Sequence, residues 1–464
     1  MTTDAAPAPD TRPIPVDDFQ GEAIRRGEPG YDEARAIWNG MLDLRPAVIL
    51  RCRTVEDVIA AVAIGRESGV EVAVRGGGHS LSGQSTTEGG VVIDLSSLRS
   101  VEIDAERRLA RVGGGATWAD LDAAAAEHGL ATTGGLIPST GVAGLTLGGG
   151  IGWLMRRHGL ACDNLVGADL IAADGSRHRA SHGDDEELLW GLRGGGGNFG
   201  VATTLELRLH PVATVVGGMA LFPIERGREV LRAYARWTRD LPDEFTTMAA
   251  IVGAPPAPFV PAERVGTPVV AIVGGWCGAV EAGQALLQPI RALGPFADVF
   301  GPMPYPALQG MLAGGAPAGL RNYTTSGYLP DLGDRVVDVV LAHGARLASP
   351  LSQIHLHQMG GAVARVGEED TAYGQRRAAW TYNVLGTWID PAEDRPSTDW
   401  VRGLRDALAP LAGDGVYVNF IGSGEEGRVR AAYDEATWRR LTALKRRLDP
   451  DNLFRRNHNI PPAD

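Results

Sequence analysis

Four glycine clusters crowd the first 200 residues of this 464-residue chain: Gly76 to Gly78, Gly113 to Gly115, Gly134 to Gly152, and Gly194 to Gly200. Glycine admits positive φ and lets one backbone approach another group closely, and successive backbone N–H groups can form an anion-binding concavity. One such cluster is an ordinary turn. Four of them, with none as dense later, point to a large phosphate-containing ligand. The first is the most explicit: V-A-V-R-G-G-G-H-S-L-S-G (Val72 to Gly83) is an apolar strand running into three glycines that end on His79, a nucleophilic nitrogen at the mouth of the loop. Gly195 to Gly200 fits G-x-G-x-x-G, but a helix precedes it and a strand follows. That order is the reverse of a dinucleotide fingerprint, so the segment reads as a helix-to-strand connection near a ligand.

A composition of 44% hydrophobic and 22% charged residues is that of a globular protein. The net charge of -12 argues against nucleic acid as a partner. Lys445 is the only lysine. Cys52, Cys162 and Cys277 are too few and too scattered for a disulfide framework or a zinc site, and no metal site is expected. Met1 to Pro15 shows no signal-peptide succession, and the longest apolar runs, such as Val212 to Phe222, are strand-length; a cytoplasmic protein without a membrane partner is expected.

Periodicity predicts a mixed α/β region from about 19 to 211, after a disordered lead-in over 1–18. It contains a helix over Thr54 to Ser68 with Thr54 as N-cap, strands at Val70 to Val74, Val91 to Leu95 and Arg107 to Val112, and a helix capped by Thr117. A hairpin over Val166 to Ala180 turns at Asp174-Gly175, and a strand covers Val201 to Leu209. Residues 212–410 read as a second α+β domain, an antiparallel sheet flanked by helices, with strand-like runs at Val269 to Val273 and Ile354 to Val363. A segment over 411–464 closes the chain.

The motifs are long enough to carry a resemblance. R-G-G-G-H-S (Arg75 to Ser80), V-I-D-L (Val92 to Leu95) and V-G-G-G (Val112 to Gly115) resemble the FAD-binding half of vanillyl-alcohol-oxidase-type (PCMH-type) flavoproteins. I-P-S-T-G-V-A-G-L-T-L-G-G-G-I-G-W (Ile137 to Trp153), R-G-G-G-G-N-F-G-V (Arg193 to Val201), Y-V-N-F (Tyr417 to Phe420) and the Leu448 to Pro462 close narrow it to berberine-bridge-enzyme-like oxidoreductases. The resemblance implies a two-lobed FAD enzyme: the first lobe and the C-terminal segment hold FAD, and the middle lobe places its sheet over the flavin. It implies cofactor contacts at Arg75, Gly76, Gly77, Gly78, His79, Ser80, Gly83 and Gln84; at Pro138, Ser139, Thr140, Gly141, Val142, Gly144, Gly148, Gly149 and Gly152; and at Val201, Tyr417, Asn419 and Asn457. It also implies a covalent bond from His79 to the flavin. Many members add a second bond from a cysteine where this chain has Ile137, so a single link is expected; Cys162 reads as a small buried thiol.

The implied reaction is hydride transfer from a C–H bond next to oxygen or nitrogen of a small molecule, with dioxygen or another acceptor, in secondary metabolism; a flavin protein that has lost its catalysis, or a non-flavin nucleotide enzyme, are the rivals. Tyr417 is either the base or a residue that packs on the flavin; Asn419 shares its face if the segment is a strand. His355 and His357 share one face of a strand and are either an acid–base pair or a structural one. Trp153, Trp380 and Tyr382 are candidate substrate walls; His128 and His158 read as structural, and His458 lies near the flavin by resemblance. A monomer and a homodimer are both compatible with the sequence.

Overall fold

A computed structural model describes residues 14–464. The expected lead-in falls mostly outside these residues, and where they begin the chain is already packed: Ile14 and Phe19 sit in the core beneath the first sheet.

That sheet has four strands in the order Glu22–Arg25, Val48–Arg51, Val91–Asp94, Val72–Arg75. The last three are parallel, and burial on both faces makes Val48 to Leu50 and Val91 to Ile93 continuous apolar runs rather than alternating ones. The crossover helix Val55–Ser68 starts in a capping box between Thr54 and Asp57 and stops at Gly69 in the left-handed region. A second, antiparallel sheet of five strands runs Val101–Asp104, Leu109–Gly113, Val201–Arg208, Leu165–Ile171, Arg177–Ser181. The C-terminal helix Glu435–Leu448 returns to this lobe, where Leu441, Leu444 and Leu448 pack with Leu188, Leu192 and Phe199.

The third sheet is antiparallel and has eight strands, with a path from Ala297–Asp298 through Thr214–Pro223, Pro268–Trp276, Phe245–Gly253, Gln353–Gln358 and Trp380–Trp388 to Arg321–Leu329. One face buries Phe222, Ile251, Ile272, Ile354 and Val384 against Val230, Val337, Val340, Val401 and Leu404 of three helices, Gly227–Trp237, Asp334–Gly344 and Asp394–Leu408. The other face looks toward the glycine-rich lobe.

Two local expectations are corrected. The strand expected over Ile354 to Val363 ends at Gln358, because Gly360 and Gly361 take positive φ and turn the chain into a short helix, Ala362–Arg365. Tyr417 and Asn419 do not share a strand: Val418–Phe420 is one turn of 3-10 helix.

Candidate active site

Between the glycine-rich lobe and the open face of the eight-stranded sheet lies a cavity of about 770 Å³. Of the residues assigned to the cofactor, Gly76, Gly77, Gly78, His79, Ser80, Gln84, Thr140, Gly141, Gly144, Gly148, Tyr417, Asn419 and Asn457 line it. The others stand behind it. Arg75 donates from Nη2 to the buried Asp94 at 3.0 Å, and Ser139 reaches the cavity only through His79. Val142 and Val201 are fully buried, while Gly149 and Gly152 are packed so closely against Tyr373, Tyr417 and the Gly134 carbonyl that no side chain fits. Pro138 and Gly83 likewise do not line the cavity. Gly114, of the second glycine cluster, lines it too, and the sequence reading missed Trp38, Ser82, Ser85, Gln353, Asn383 and Arg456, all of which do.

His79 follows directly on Gly78, whose φ of 67° turns the chain at the end of the strand Val72–Arg75. Its Nε2 shares a hydrogen bond of 2.7 Å with Ser139 Oγ, and its ring stacks on Trp38 at 5.0 Å and 23°. Burial pulls its pKa down to about 4, so at neutral pH the imidazole is uncharged and nucleophilic.

The donor set and the space fit FAD. Gly144 and Gly197 line the cavity, and a Cβ built on either meets nothing within 4 Å. Ser82 Oγ, Ser85 Oγ, Asn457 Oδ1 and His357 Nε2 are buried along it with no partner among the described residues, the state of polar atoms that await a polar ligand. Among the described residues no carboxylate lines the cavity to repel a pyrophosphate, and Arg456 is present. Lys445 ties the surrounding pieces together: buried, it donates from Nζ to Asn198 O, Phe454 O and Asp449 Oδ2 at 2.9, 3.0 and 2.7 Å, joining the fourth glycine cluster to the C-terminal segment. His458, in that segment, accepts from Gln84 Nε2 at 2.9 Å through Nδ1 and lines the cavity.

On the sheet side, register places Leu221, Ala271, Ala250, His355 and Asn383 in one row across five strands. His355 and His357 face the cavity as alternation requires, with ring centroids 5.7 Å apart. Gln353 donates from Nε2 to Gly315 O at 2.9 Å, which fixes its amide so that Oε1 meets His355 Nε2 at 2.8 Å. His355 Nε2 therefore carries the hydrogen, and Nδ1 is a lone-pair acceptor with no partner among the described residues. Burial lowers the pKa of His355 to about 4, and burial with the neighbouring His355 lowers that of His357 to about 3.

Tyr417 accepts hydrogen bonds at Oη from Gly150 N and Asn419 Nδ2, at 2.7 and 2.8 Å. Burial pushes its pKa up, outweighing those two donors, and no cation is among the groups that act on it. Trp380 and Tyr382 need correction as walls: both lie on the helix side of the sheet, in the core with Tyr234 and Leu356, and Asn383 and Leu385 hold the cavity side of that strand. Trp153 is buried in the apolar cluster behind Met248 and does not line the cavity. Cys162 is buried and His128 is at the surface; His158 stacks on His210 at 3.7 Å, away from the cavity. No helix among the described residues is long and apolar enough to cross a membrane, and no cluster there could hold a metal ion.

A glycine-looped two-lobe fold with this cavity defines an FAD-linked oxidoreductase, and comparison with known proteins agrees. Residues 46–181 match the FAD binding domain family and residues 416–461 the family described as berberine and berberine like. (R)-6-hydroxynicotine oxidase of Paenarthrobacter nicotinovorans is 30% identical over 96% of this chain and 97% of its own. The crystal structure of 6-hydroxy-D-nicotine oxidase from Arthrobacter nicotinovorans superposes with a TM-score of 0.88 at 28% identity, covering 97% of this chain and 99% of that one. Xylooligosaccharide oxidase from Myceliophthora thermophila C1, in complex with xylobiose, shares the fold at a TM-score of 0.85 and 23% identity, over 97% and 98% of the two chains. The chain belongs to the berberine-bridge-enzyme-like family of FAD-linked oxidoreductases.

Proposed function

We propose that the enzyme holds FAD by a single covalent bond from His79 and oxidises a C–H bond next to oxygen or nitrogen of a small molecule of secondary metabolism, with dioxygen as the acceptor. The observation that carries this reading is His79 itself: neutral, clamped between Ser139 and Trp38, and set at the edge of the glycine-lined cavity. The two Gly-rich turns around Gly76 and Gly144, the Ser82 and Ser85 hydroxyls and Asn457 would hold the cofactor. When bound, FAD supplies the two-electron acceptor.

This chain's residues supply the proton handling and the exclusion of water. His355 Nδ1 is the proton acceptor that the geometry favours, because its tautomer is fixed and its lone pair is free. Tyr417 is the weaker candidate: its oxygen is saturated with donors and its pKa is raised, so it orients the Gly148 to Gly150 turn and Asn419. Ile137 lines the cavity where a second tether would stand and cannot form one. That a relative of 30% identity is named an oxidase favours dioxygen.

Acid denaturation followed by a gel tests the covalent bond. We expect the purified enzyme to run as a band with flavin fluorescence in acid, and His79→Ala to run dark while the same protein, before denaturation, still carries yellow non-covalent FAD. Flavin fully released from the unaltered enzyme by acid would sink the proposal.

A further inference from the structure

We infer that the substrate is an uncharged molecule with a flat apolar body about two fused rings wide and a single small polar group, rather than a sugar chain, an ammonium ion or a carboxylate. The inference rests on the reading that substrate binds over the open face of the eight-stranded sheet.

The sheet divides its cavity face by strand. The strands Thr214–Pro223, Phe245–Gly253 and Pro268–Trp276 present only apolar side chains there, among them Met219, Leu221, Met248 and Val273. The strands Gln353–Gln358 and Trp380–Trp388 present the polar Gln353, His355, His357 and Asn383, with Leu385 beside them. In the central row, Ala250 and Ala271 are direct neighbours, flanked by Leu221 on one side and His355 on the other. Two adjacent alanines leave a trough two strands wide, roughly 10 Å at about 4.8 Å per strand, and it ends at the histidine. The row beside it, Met219, Val273, Met248 and His357, stands higher and walls the trough. Methionines there adapt to the outline of a ring system without adding polarity.

Charge is missing from this face. Among the described residues no Asp, Glu or Lys lines the cavity, and the one arginine that does, Arg456, belongs to the other lobe, where it donates to Thr86 O at 3.0 Å. Both histidines are neutral at pH 7. An ion entering the trough would lose its hydration and find no counter-charge. Free hydrogen-bonding capacity is scarce as well. Gln353 spends both ends on Gly315 and His355, and Asn383 Oδ1 accepts from Thr324 Oγ1 at 2.8 Å. His355 Nδ1, both ring nitrogens of His357 and Asn383 Nδ2 are left, all at one end of the trough, enough for one hydroxyl, carbonyl or amine and too few for a sugar.

The test is a binding titration of the holoenzyme, read by perturbation of the visible flavin spectrum and by calorimetry, so that it does not depend on turnover. The probes are indanol, its isosteric ammonium aminoindan, and xylobiose. At neutral pH we expect saturable binding of indanol, at least tenfold weaker binding of aminoindan and no saturable signal from xylobiose. Aminoindan should tighten at least tenfold as pH rises through its own ionisation. Ala250→Asp should reverse the order of the two bicyclic probes. Xylobiose or the ammonium binding as tightly as indanol, no binding of indanol, or an order unmoved by Ala250→Asp would each overturn the inference. A failure of the acid-gel experiment, by contrast, speaks against the covalent bond and leaves this order of affinities measurable.

Discussion

Asp122 offers a sharp test of the physical reading, because the join between the two lobes depends on its protonation. The carboxyl lies on the helix Trp118–Ala126 of the glycine-rich lobe and is almost fully buried. Gln309, on the helix Tyr305–Gly310 beside the sheet, donates from Nε2 to Asp122 Oδ2 at 3.0 Å, while Asp122 Oδ1 and Gln309 Oε1 have no partner among the described residues. A proton on Oδ1 supplies the donor that Gln309 Oε1 lacks, giving a reciprocal acid–amide pair. Burial accordingly raises the Asp122 pKa from 3.8 to about 7. The folded state therefore binds a proton that the unfolded state has already released above pH 3.8. The associated stability is complete below that value and is lost as pH rises toward about 7, then stays constant. Asp122→Asn keeps both hydrogen bonds without the proton. Relative to the unaltered enzyme it should gain stability between about pH 5 and pH 7, two units at about 1.36 kcal/mol each, or ~2.7 kcal/mol. Urea denaturation at about pH 5 and pH 8, read by far-ultraviolet circular dichroism, measures the gap. An equal difference at both pH values, or an asparagine variant that falls behind as pH rises, would refute the reasoning.

Lys445→Met should cost about 3–5 kcal/mol, since it strands the Asp449 carboxylate in the core; Lys445→Met combined with Asp449→Asn should recover part of the loss in the same denaturation assay, because it removes the charge while the amide oxygen can still accept from one of the two backbone N–H groups, of Leu453 and Phe454, that the carboxylate holds. Gln353→Glu places a carboxylate against His355 and should raise the His355 pKa, so the acidic limb of kcat/KM, followed as substrate-dependent oxygen uptake, should move to higher pH; an unmoved limb would remove His355 as the proton acceptor. His79→Ala should convert acid-stable flavin fluorescence into acid-released FAD, as set out above.

Much of the fold was legible in the sequence because its signals are local. Thr54 with Asp57 and Asp174-Gly175 specify a helix start and a hairpin from a few residues each, and both occur where the pattern put them. The histidine pair was legible for the same reason: period-2 alternation puts His355 and His357 together whatever the sheet does. The strand Trp380–Trp388 was not, because both of its faces are buried and the sequence carries no polar–apolar contrast to say which face meets the cavity; the aromatic residues went to the helices and Asn383 to the site. Trp38 precedes His79 by a stretch of chain with no motif, and only tertiary packing brings the two rings together. Gln353 lies two residues from His355 on the same face and could have been found by extending the alternation one step.

The solitary lysine has a practical consequence. Lys445 is the chain's one side-chain amine, and it is 0% exposed, with its Nζ held by three acceptors and its pKa lowered by burial. Amine-directed reagents thus have no side-chain target on the folded surface. Acylation of Lys445 would require the C-terminal helix to lift from the fourth glycine cluster, so the rate of that single modification, followed by mass spectrometry, reports how often the cofactor lobe opens.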